Sequence, residues 1–361
     1  MYEIFEDSPL PAFQDVLLRP RYSTIRSRSE VDLSTYLGRG VRLSLPIVSS
    51  PMDTVTDGDM ALQLAKHGGL GIIHRYLSVE AQARGVAYVS LSTTLPATHK
   101  HVGAAIGMTG QYNYRADECL DAGATVICVD VAHGYHETMR RCLQQLRSQF
   151  PDAHIMAGNV ATGEAYAVLS AWGADSVRVG IGGGSICTTR IKTGHGLPTF
   201  TSVIDCYSAK KQLLKEHLPT ATIIADGGIK TPGDIVKALA AGADAVMLGS
   251  MLSGTVEAPG RVIYHEDGSM YKEYRGMASR ESQMQWRGES SSPEGVAATV
   301  PYKGSVEDIL KDIAGNVRSG LSYSGARNIA QLRENAQWIR QTGASQVESS
   351  AHIFTLPGSK T

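Results

Sequence analysis

TIIADGGIKTPGDIVKALAAGADAVMLGS (222–250) reads as strand, helix, strand. The runs TIIADGG (222–228) and AVMLGS (245–250) are nearly continuous in apolar residues, as parallel strands covered on both faces are. Between them, PGDIVKALAAGA (232–243) has a polar start and an apolar body, with Gly242 beyond the last turn, where a helix commonly stops. The plan recurs upstream. VRLSLPIVSS (41–50), GLGII (69–73), VGAAIG (102–107), TVICVDV (125–131), HIMAGNV (154–160) and SVRVGI (176–181) complete eight runs, and GDMALQLAKHG (58–68) and GEAYAVLSAWGA (163–174) repeat the helix. Eight strands alternating with helices predict a closed (β/α)8 TIM barrel, with an open doubly wound sheet as the other arrangement such alternation permits.

Three parts stand outside the repeat within what reads as a single catalytic domain over residues 1–361. They are an N-terminal arm (1–39), a long polar excursion (251–318) and a C-terminal tail from about residue 340. GESSSPEG (288–295) marks the excursion as holding a mobile flap, at about 280–300. The formal net charge of -1, with 19% charged residues, argues against a nucleic-acid or anionic-membrane partner, which calls for a basic patch. No basic segment followed by an apolar run opens the chain, and no stretch is long and apolar enough to span a bilayer. Five scattered cysteines, without a C-x-x-C pair, form neither a disulfide framework nor a zinc site, so a reducing cytoplasm is the simplest reading.

In such a barrel the functional groups collect at the C-terminal ends of the strands. Ser49–Ser50–Pro51–Met52–Asp53, Asp130 with His133, Asn159, Asp226–Gly227–Gly228 and Gly249–Ser250 all fall there. The most informative loop follows the sixth run: Gly182–Gly183–Gly184–Ser185–Ile186–Cys187–Thr188–Thr189–Arg190. Its glycines let a ligand approach the main chain, and successive free N–H groups there can cradle a phosphate. A loop thiol near an anion site and Arg190 is a candidate nucleophile, because only the thiolate attacks and positive charge favours it. Asp226 can accept both hydroxyls of a ribose, and the loops after strands seven and eight often hold phosphate.

GIGGGSICTTRIKTGHGLP (180–198) resembles the catalytic loop of the IMP dehydrogenase/GMP reductase family. So do SSPMDTVT (49–56), GGLGIIHR (68–75), ADGGIKTPGDIVKALAAGADAVMLG (225–249), EYRGMAS (273–279), PYKG (301–304) and RSGLSYSGA (318–326), in order along nearly the whole chain. The resemblance implies that Cys187 attacks C2 of a purine nucleoside monophosphate and that Thr189 assists proton transfer. Ser50, Met52, Ser185, Asp226, Gly227, Gly228, Gly249 and Ser250 would hold ribose and phosphate, and Met277, Ala278 and Ser279 the base edge. Asp130, Ala132, His133, Asn159, Gly180 and Gly182 would line a nicotinamide cofactor site. Gly182, Gly184 and Cys187, with the tail Glu348–Ser349–Ser350, resemble the family's monovalent cation site, which implies potassium. A homotetramer or octamer is implied as well.

The family divides into dehydrogenases, which oxidise IMP with NAD and hydrolyse the adduct, and reductases, which expel ammonia from GMP and reduce the adduct with NADPH. The dehydrogenases usually carry CBS modules after the second barrel strand, where only about thirty residues separate GIIHR from VGAAIG here. Their water-activating Arg-Tyr pair has no counterpart: Arg287 is followed by Gly288, and no Tyr occurs between Tyr274 and Tyr302. The reductases place a Glu soon after the Gly-Met-Ser-Ser motif. Here Gly276–Met277–Ala278–Ser279 is followed by Arg280 and then Glu281, which is the candidate acid. The tail QTGASQVESSAHIF looks more like a dehydrogenase's. The balance predicts a GMP reductase using NADPH, with IMP dehydrogenase using NAD as the alternative.

Overall fold

The computed structural model describes residues 10–349, except the side chain of Arg287. An N-terminal strand β1 (Val16–Leu18) precedes a hairpin of β2 (Thr35–Gly38) and β3 (Val41–Leu43). Eight parallel strands follow: β4 (Ile47–Ser49), β5 (Leu70–Ile73), β6 (Val102–Ile106), β7 (Val126–Asp130), β8 (His154–Val160), β9 (Ser176–Val179), β10 (Thr222–Asp226) and β11 (Ala245–Leu248). They close into a barrel in chain order, with β11 pairing back onto β4 through Val246–Ile47 and Leu248–Ser49. The expected (β/α)8 barrel is therefore the fold, and the open sheet is excluded.

The run 41–50 holds two strands rather than one. Pro46 has no N–H to continue a ladder, and the chain before it turns back so that β3 pairs antiparallel with β2. Leu37, Val41 and Leu43 of that hairpin pack with the barrel's inner residues Val48, Leu70, Ile72, Val126, Met156 and Met247, which plugs the N-terminal end. Every residue of β5, β6, β8, β9 and β11 is buried, as their unbroken apolar runs required.

The helices on the outside are α1 (Gly58–Lys66), α2 (Val79–Ser90), α3 (Tyr112–Asp121), α4 (Glu137–Gln149) and α5 (Gly163–Ala171). After them come a short α6 (Thr189–Thr193), α7 (Thr199–Lys215) and α8 (Pro232–Ala241). Local chemistry sets their ends. Thr231 and Asp234 form a reciprocal capping box at α8, with Pro232 in the first turn. The helix stops at Gly242, whose φ is +122° and where a Cβ would lie 2.2 Å from the Tyr207 ring. One face of α8 buries Ile235, Ala238 and Leu239, each worth about 1–3 kcal/mol when removed from water.

The polar excursion is more ordered than its composition predicted. It contains β12 (Val262–Tyr264), β13 (Met270–Arg275) and β14 (Ala297–Pro301) in an antiparallel sheet, α9 (Arg280–Arg287) and most of α10 (Val306–Tyr323), which runs on past its end. The residues of β12 and β14 are mostly exposed, so no apolar alternation announces them. Beyond lie α11 (Ile329–Asn335), β15 (Trp338–Arg340), which pairs with β1, and α12 (Gly343–Glu348). Among the described residues, no helix is long and apolar enough to cross a membrane.

Candidate active site

The loop after β9 carries Cys187, and the end of the excursion folds back to pair with it. Thr188 N donates to Glu294 O at 2.8 Å, and Val296 N donates to Ile186 O at 3.0 Å. On its other side the same segment meets the residues after β13, where Glu294 N donates to Ala278 O at 3.0 Å. Gly295 lies between the two, and a Cβ there would sit 3.3 Å from Ser279 N and 3.5 Å from Ile186 O.

This pairing assembles a chain of three polar side chains. Cys187 Sγ lies 3.2 Å from Thr189 Oγ1, which donates to Glu294 Oε2 at 2.7 Å. Cys187 is half-buried, whereas Cys119, Cys128, Cys142 and Cys206 are fully buried. Burial pushes Cys119 and Cys128 up to about 11 and Cys142 to about 12, and holds Cys206 well above the usual thiol value. Those four are buried, protonated thiols, and Cys187 is the one cysteine among the described residues that is part-exposed. Arg190 does not face the sulfur through any ion pair. Its guanidinium donates to the carbonyls of Ile181 and Leu197 and braces the loop.

The glycine loops after β9 and β10 approach backbone to backbone. A Cβ on Gly183 would lie 2.6 Å from Thr199 Oγ1 and 3.2 Å from Gly227 C, so both loops require glycine here. Ser185 Oγ reaches the Tyr274 hydroxyl at 3.5 Å, and a Cβ on Gly249 would lie 3.1 Å from that same hydroxyl. The Tyr274 hydroxyl thus stands beside both Ser185 and Gly249 at one corner of the mouth. Lys303 Nζ donates to Ser250 O at 2.7 Å, and burial pushes its pKa down. Neither Tyr274 nor Lys303 was singled out from the sequence, although both lie in family-like segments, EYRG and PYKG.

Ser50 is buried and its carbonyl accepts from Thr56 Oγ1 at 2.6 Å, while Met52 Sδ stands over Gly249. Met277 is held from both sides: Asp53 N donates to its Sδ at 3.3 Å, and Tyr76 Oη donates to its carbonyl at 2.9 Å. Ser279 is fully buried and spends its hydroxyl capping α9, accepting from Ser282 N at 3.2 Å. Glu281 lies exposed in the first turn of that helix, and Glu294 occupies the place beside Thr189. Arg287 ends α9 and is followed by Gly288 at φ +75°.

On the other side of the mouth, one buried charge organises the acids. Arg178, on β9, donates to Asp130 Oδ1 at 2.5 Å and to Asp226 Oδ2 at 3.0 Å. Burial works against its charge, and its neighbours, Asp130 foremost and Asp226 among them, overcome it, so the guanidinium stays protonated. Asn159 Nδ2 donates to Asp226 Oδ2 at 2.9 Å and to Gly180 O at 2.7 Å. Its Oδ1 is buried without a partner, so it offers an acceptor to an amide donor such as a carboxamide. Ala132 and His133 lie exposed just beyond β7. The sequence reading missed Arg178, because a charge inside an apolar run looks outward until the barrel closes.

Of the residues that resemble the family's cation site, Gly184 accepts at its carbonyl from Cys187 N at 3.1 Å, and Gly182 has φ +75°. Glu348 ends α12 and Ser349 follows it, while Ser350 lies outside the described residues.

The family model described as IMP dehydrogenase / GMP reductase domain matches residues 11–352. Inosine-5'-monophosphate dehydrogenase of Nitrosopumilus maritimus is 35% identical over an alignment of 475 positions, covering 95% of this chain and 98% of that protein. That alignment is longer than the 361-residue chain, so the relative contains segments with no counterpart here. The enzyme of the same name from Borreliella burgdorferi is also 35% identical, over 402 positions, covering 95% of this chain and 97% of its own. Among solved structures, a cysteine-to-alanine variant of GMP reductase from Trypanosoma brucei, in complex with guanosine 5'-monophosphate, superposes with a TM-score of 0.90. It is 29% identical and covers 98% of this chain and 100% of its own.

Proposed function

The chain belongs to the IMP dehydrogenase/GMP reductase family of oxidoreductases, and from that premise we propose that it is a GMP reductase. The observation that carries this reading is the contact chain from Cys187 through Thr189 to Glu294. Ionisation of the thiol passes a proton through the Thr189 hydroxyl to the Glu294 carboxylate. The thiolate then adds to C2 of GMP, forming the Sγ–C2 bond. Protonation from Glu294 through Thr189 lets the C2 amine depart as ammonia as the C2–N bond breaks. A nicotinamide cofactor, when bound, supplies the hydride that reduces C2. Release of the thiolate breaks the Sγ–C2 bond and yields IMP.

Asp226 would hold the ribose hydroxyls, and Ser185, Gly228, Gly249, Ser250 and Tyr274 the phosphate. The orphaned Oδ1 of Asn159 fits the carboxamide of a nicotinamide, with Asp130, Ala132, His133, Gly180 and Gly182 around it. NADPH is the cofactor in this reading. Potassium on the carbonyls of Gly182, Gly184 and Cys187 would brace the loop, since such oxygen donors suit a hard cation. A homotetramer or octamer completes the proposal.

The second reading is IMP dehydrogenase, favoured by the names of the curated relatives. That reaction needs water activation, and the flap has no Tyr beside Arg287.

Absorbance at 340 nm tests the choice. Loss of signal with GMP and NADPH is expected, and a gain with IMP and NAD would assign the dehydrogenase instead. Glu294→Gln should lower kcat by about 10²–10³-fold, the scale of a lost general acid, and Glu281→Gln by less than about threefold. The reverse order would return the acid to Glu281.

A further inference from the structure

A second site lies at the other end of the barrel from Cys187. The β2–β3 hairpin, the residues entering β4 and the linker between α2 and β6 line a pocket of about 380 Å³ that is open to solvent at Arg42, Ser44 and Thr98. Its polar lining is Ser34, Arg42, Ser44, Thr98, His99 and His101, and no carboxylate is among the lining residues. All six can donate a hydrogen bond; Ser34 Oγ already donates to Asp32 Oδ2 at 2.8 Å, and none of the other five donates to a carboxylate among the described residues. Arg42 has only a long contact, from Nη2 to Ser34 Oγ at 3.4 Å, and Ser44 Oγ lies 3.4 Å from His99 Nε2. The Nδ1 atoms of His99 and His101 are buried without partners.

The neighbouring cavity shows what a neutralised counterpart looks like. It also presents two arginines, but Arg39 and Arg147 are both paired to Asp175, at 2.7 and 2.5 Å, and Arg147 donates to three carbonyls besides. The nearest acid to Arg42 by hydrogen bonding, Asp32, is spent on the N–H and hydroxyl of Ser34 at 2.8 Å each, and Arg42 itself makes no ion pair among the described residues. Burial, and then the neighbouring His99, push the pKa of His101 down, so Arg42 supplies the standing charge. Convergent donors around an unpaired guanidinium suit an oxyanion and repel a metal cation. The volume lies within the range of small-molecule sites and leaves room for more than one phosphate group.

We propose that this cavity binds a phosphate group, free or carried by a nucleotide, and that the bound anion ties the start of β4 to the start of β6. Ser44 stands three residues before Ile47, and His101 immediately precedes Val102, so the anion would bridge barrel strands on either side of β5. Such a ligand stabilises the folded chain by mass action without competing at the catalytic mouth.

The test is calorimetric titration of the full-length protein with inorganic phosphate and, separately, with ATP. Wild type is compared with the double variant Arg42→Gln/His101→Gln. The expected result is a binding component of one per chain that the double variant weakens by at least about tenfold, the worth of one charge-assisted hydrogen bond. That component should persist with GMP present, because the site lies at the opposite end of the barrel, and turnover should be unchanged in the variant. ATP binding about tenfold tighter than phosphate would identify a nucleotide as the source, and equal affinities would identify the free anion. Arg42→Lys, which keeps the charge, should retain binding and guards against a folding defect, as does an unchanged circular dichroism melt of the double variant without phosphate. Isotherms of wild type and double variant that coincide for both anions, or a component that GMP abolishes, would overturn the proposal.

Discussion

Replacing Arg178 by Met would remove the charge that joins the two sides of the mouth and keep most of the side chain's volume. Its side chain is 6% exposed, and those of Asp130 and Asp226 are 15% and 16% exposed. Breaking a buried ion pair by deleting one partner costs about 3–5 kcal/mol. The two acids keep some contact with water, so the lower end, about 3 kcal/mol, is the expected loss of stability. The acids would not suffer equally. Asp226 retains the hydrogen bond from Asn159 at 2.9 Å, whereas Asp130 is left with Arg75 at 3.9 Å. Binding that depends on Asp226 should therefore weaken about tenfold and binding that depends on Asp130 about a hundredfold, or about 1.4 and 2.7 kcal/mol. In the proposed assignment these are the KM values for GMP and for the nicotinamide cofactor. Initial rates at 340 nm, with each varied at saturating levels of the other, separate them, and a urea melt reads the stability. Arg178→Lys keeps the charge without the fork, so it should recover most of the stability and only one of the two KM values. Both KM values staying within about twofold of wild type, or a GMP effect larger than the cofactor effect, would refute the reasoning.

Other changes separate chemistry from binding. Cys187→Ala should lower turnover by about 10⁴-fold or more and leave the Kd for GMP within about threefold, measured by single-turnover kinetics and calorimetry. Thr189→Val, which cuts the path between thiol and carboxylate, should lower kcat about 10²-fold, while Thr189→Ser should restore most of it. Stability should depend on pH through two buried histidines. Burial pushes His74 and His154 down to about 4. In the unfolded chain each titrates near 6.5, so the unfolded state binds more protons between those values, and stability falls as pH drops from about 6.5 toward 4. The loss is at most about 3 kcal/mol per histidine, and urea midpoints between pH 7 and 5 read it before most carboxylates titrate. His154→Gln should flatten that slope by about half, and an unchanged slope would place the loss elsewhere.

The barrel was legible because its strands are mostly apolar on both faces and helices such as α1, α5 and α8 run into a glycine stop. Runs such as GLGII and SVRVGI need no knowledge of their neighbours, and β5 and β9 fall inside them. The first run misled at its start, since apolar Val41 and Leu43 serve a hairpin plugging the barrel rather than the barrel wall. β12 and β14 escaped notice for the opposite reason: each is held by its ladder to β13, and little apolar surface is buried.

At the site, residues close in sequence were visible and residues meeting through space were not. Cys187 and Thr189 are two positions apart in one glycine-rich loop, so both stood out together. Thr189 and Glu294 are 105 positions apart. Glu281 stood out because it follows Gly276–Met277–Ala278–Ser279, one position beyond the place the family's Glu takes. The deciding geometry is the backbone pairing of Thr188 with Glu294 and of Val296 with Ile186, which sets the register in which a side chain of the excursion meets the cysteine loop. A register is a property of two strands, and a slip of one residue would turn the Glu294 carboxylate to the opposite face of the pairing. Gly295 lets that register form between two close backbones, so the small residue beside the carboxylate matters to the acid's placement as much as the carboxylate itself.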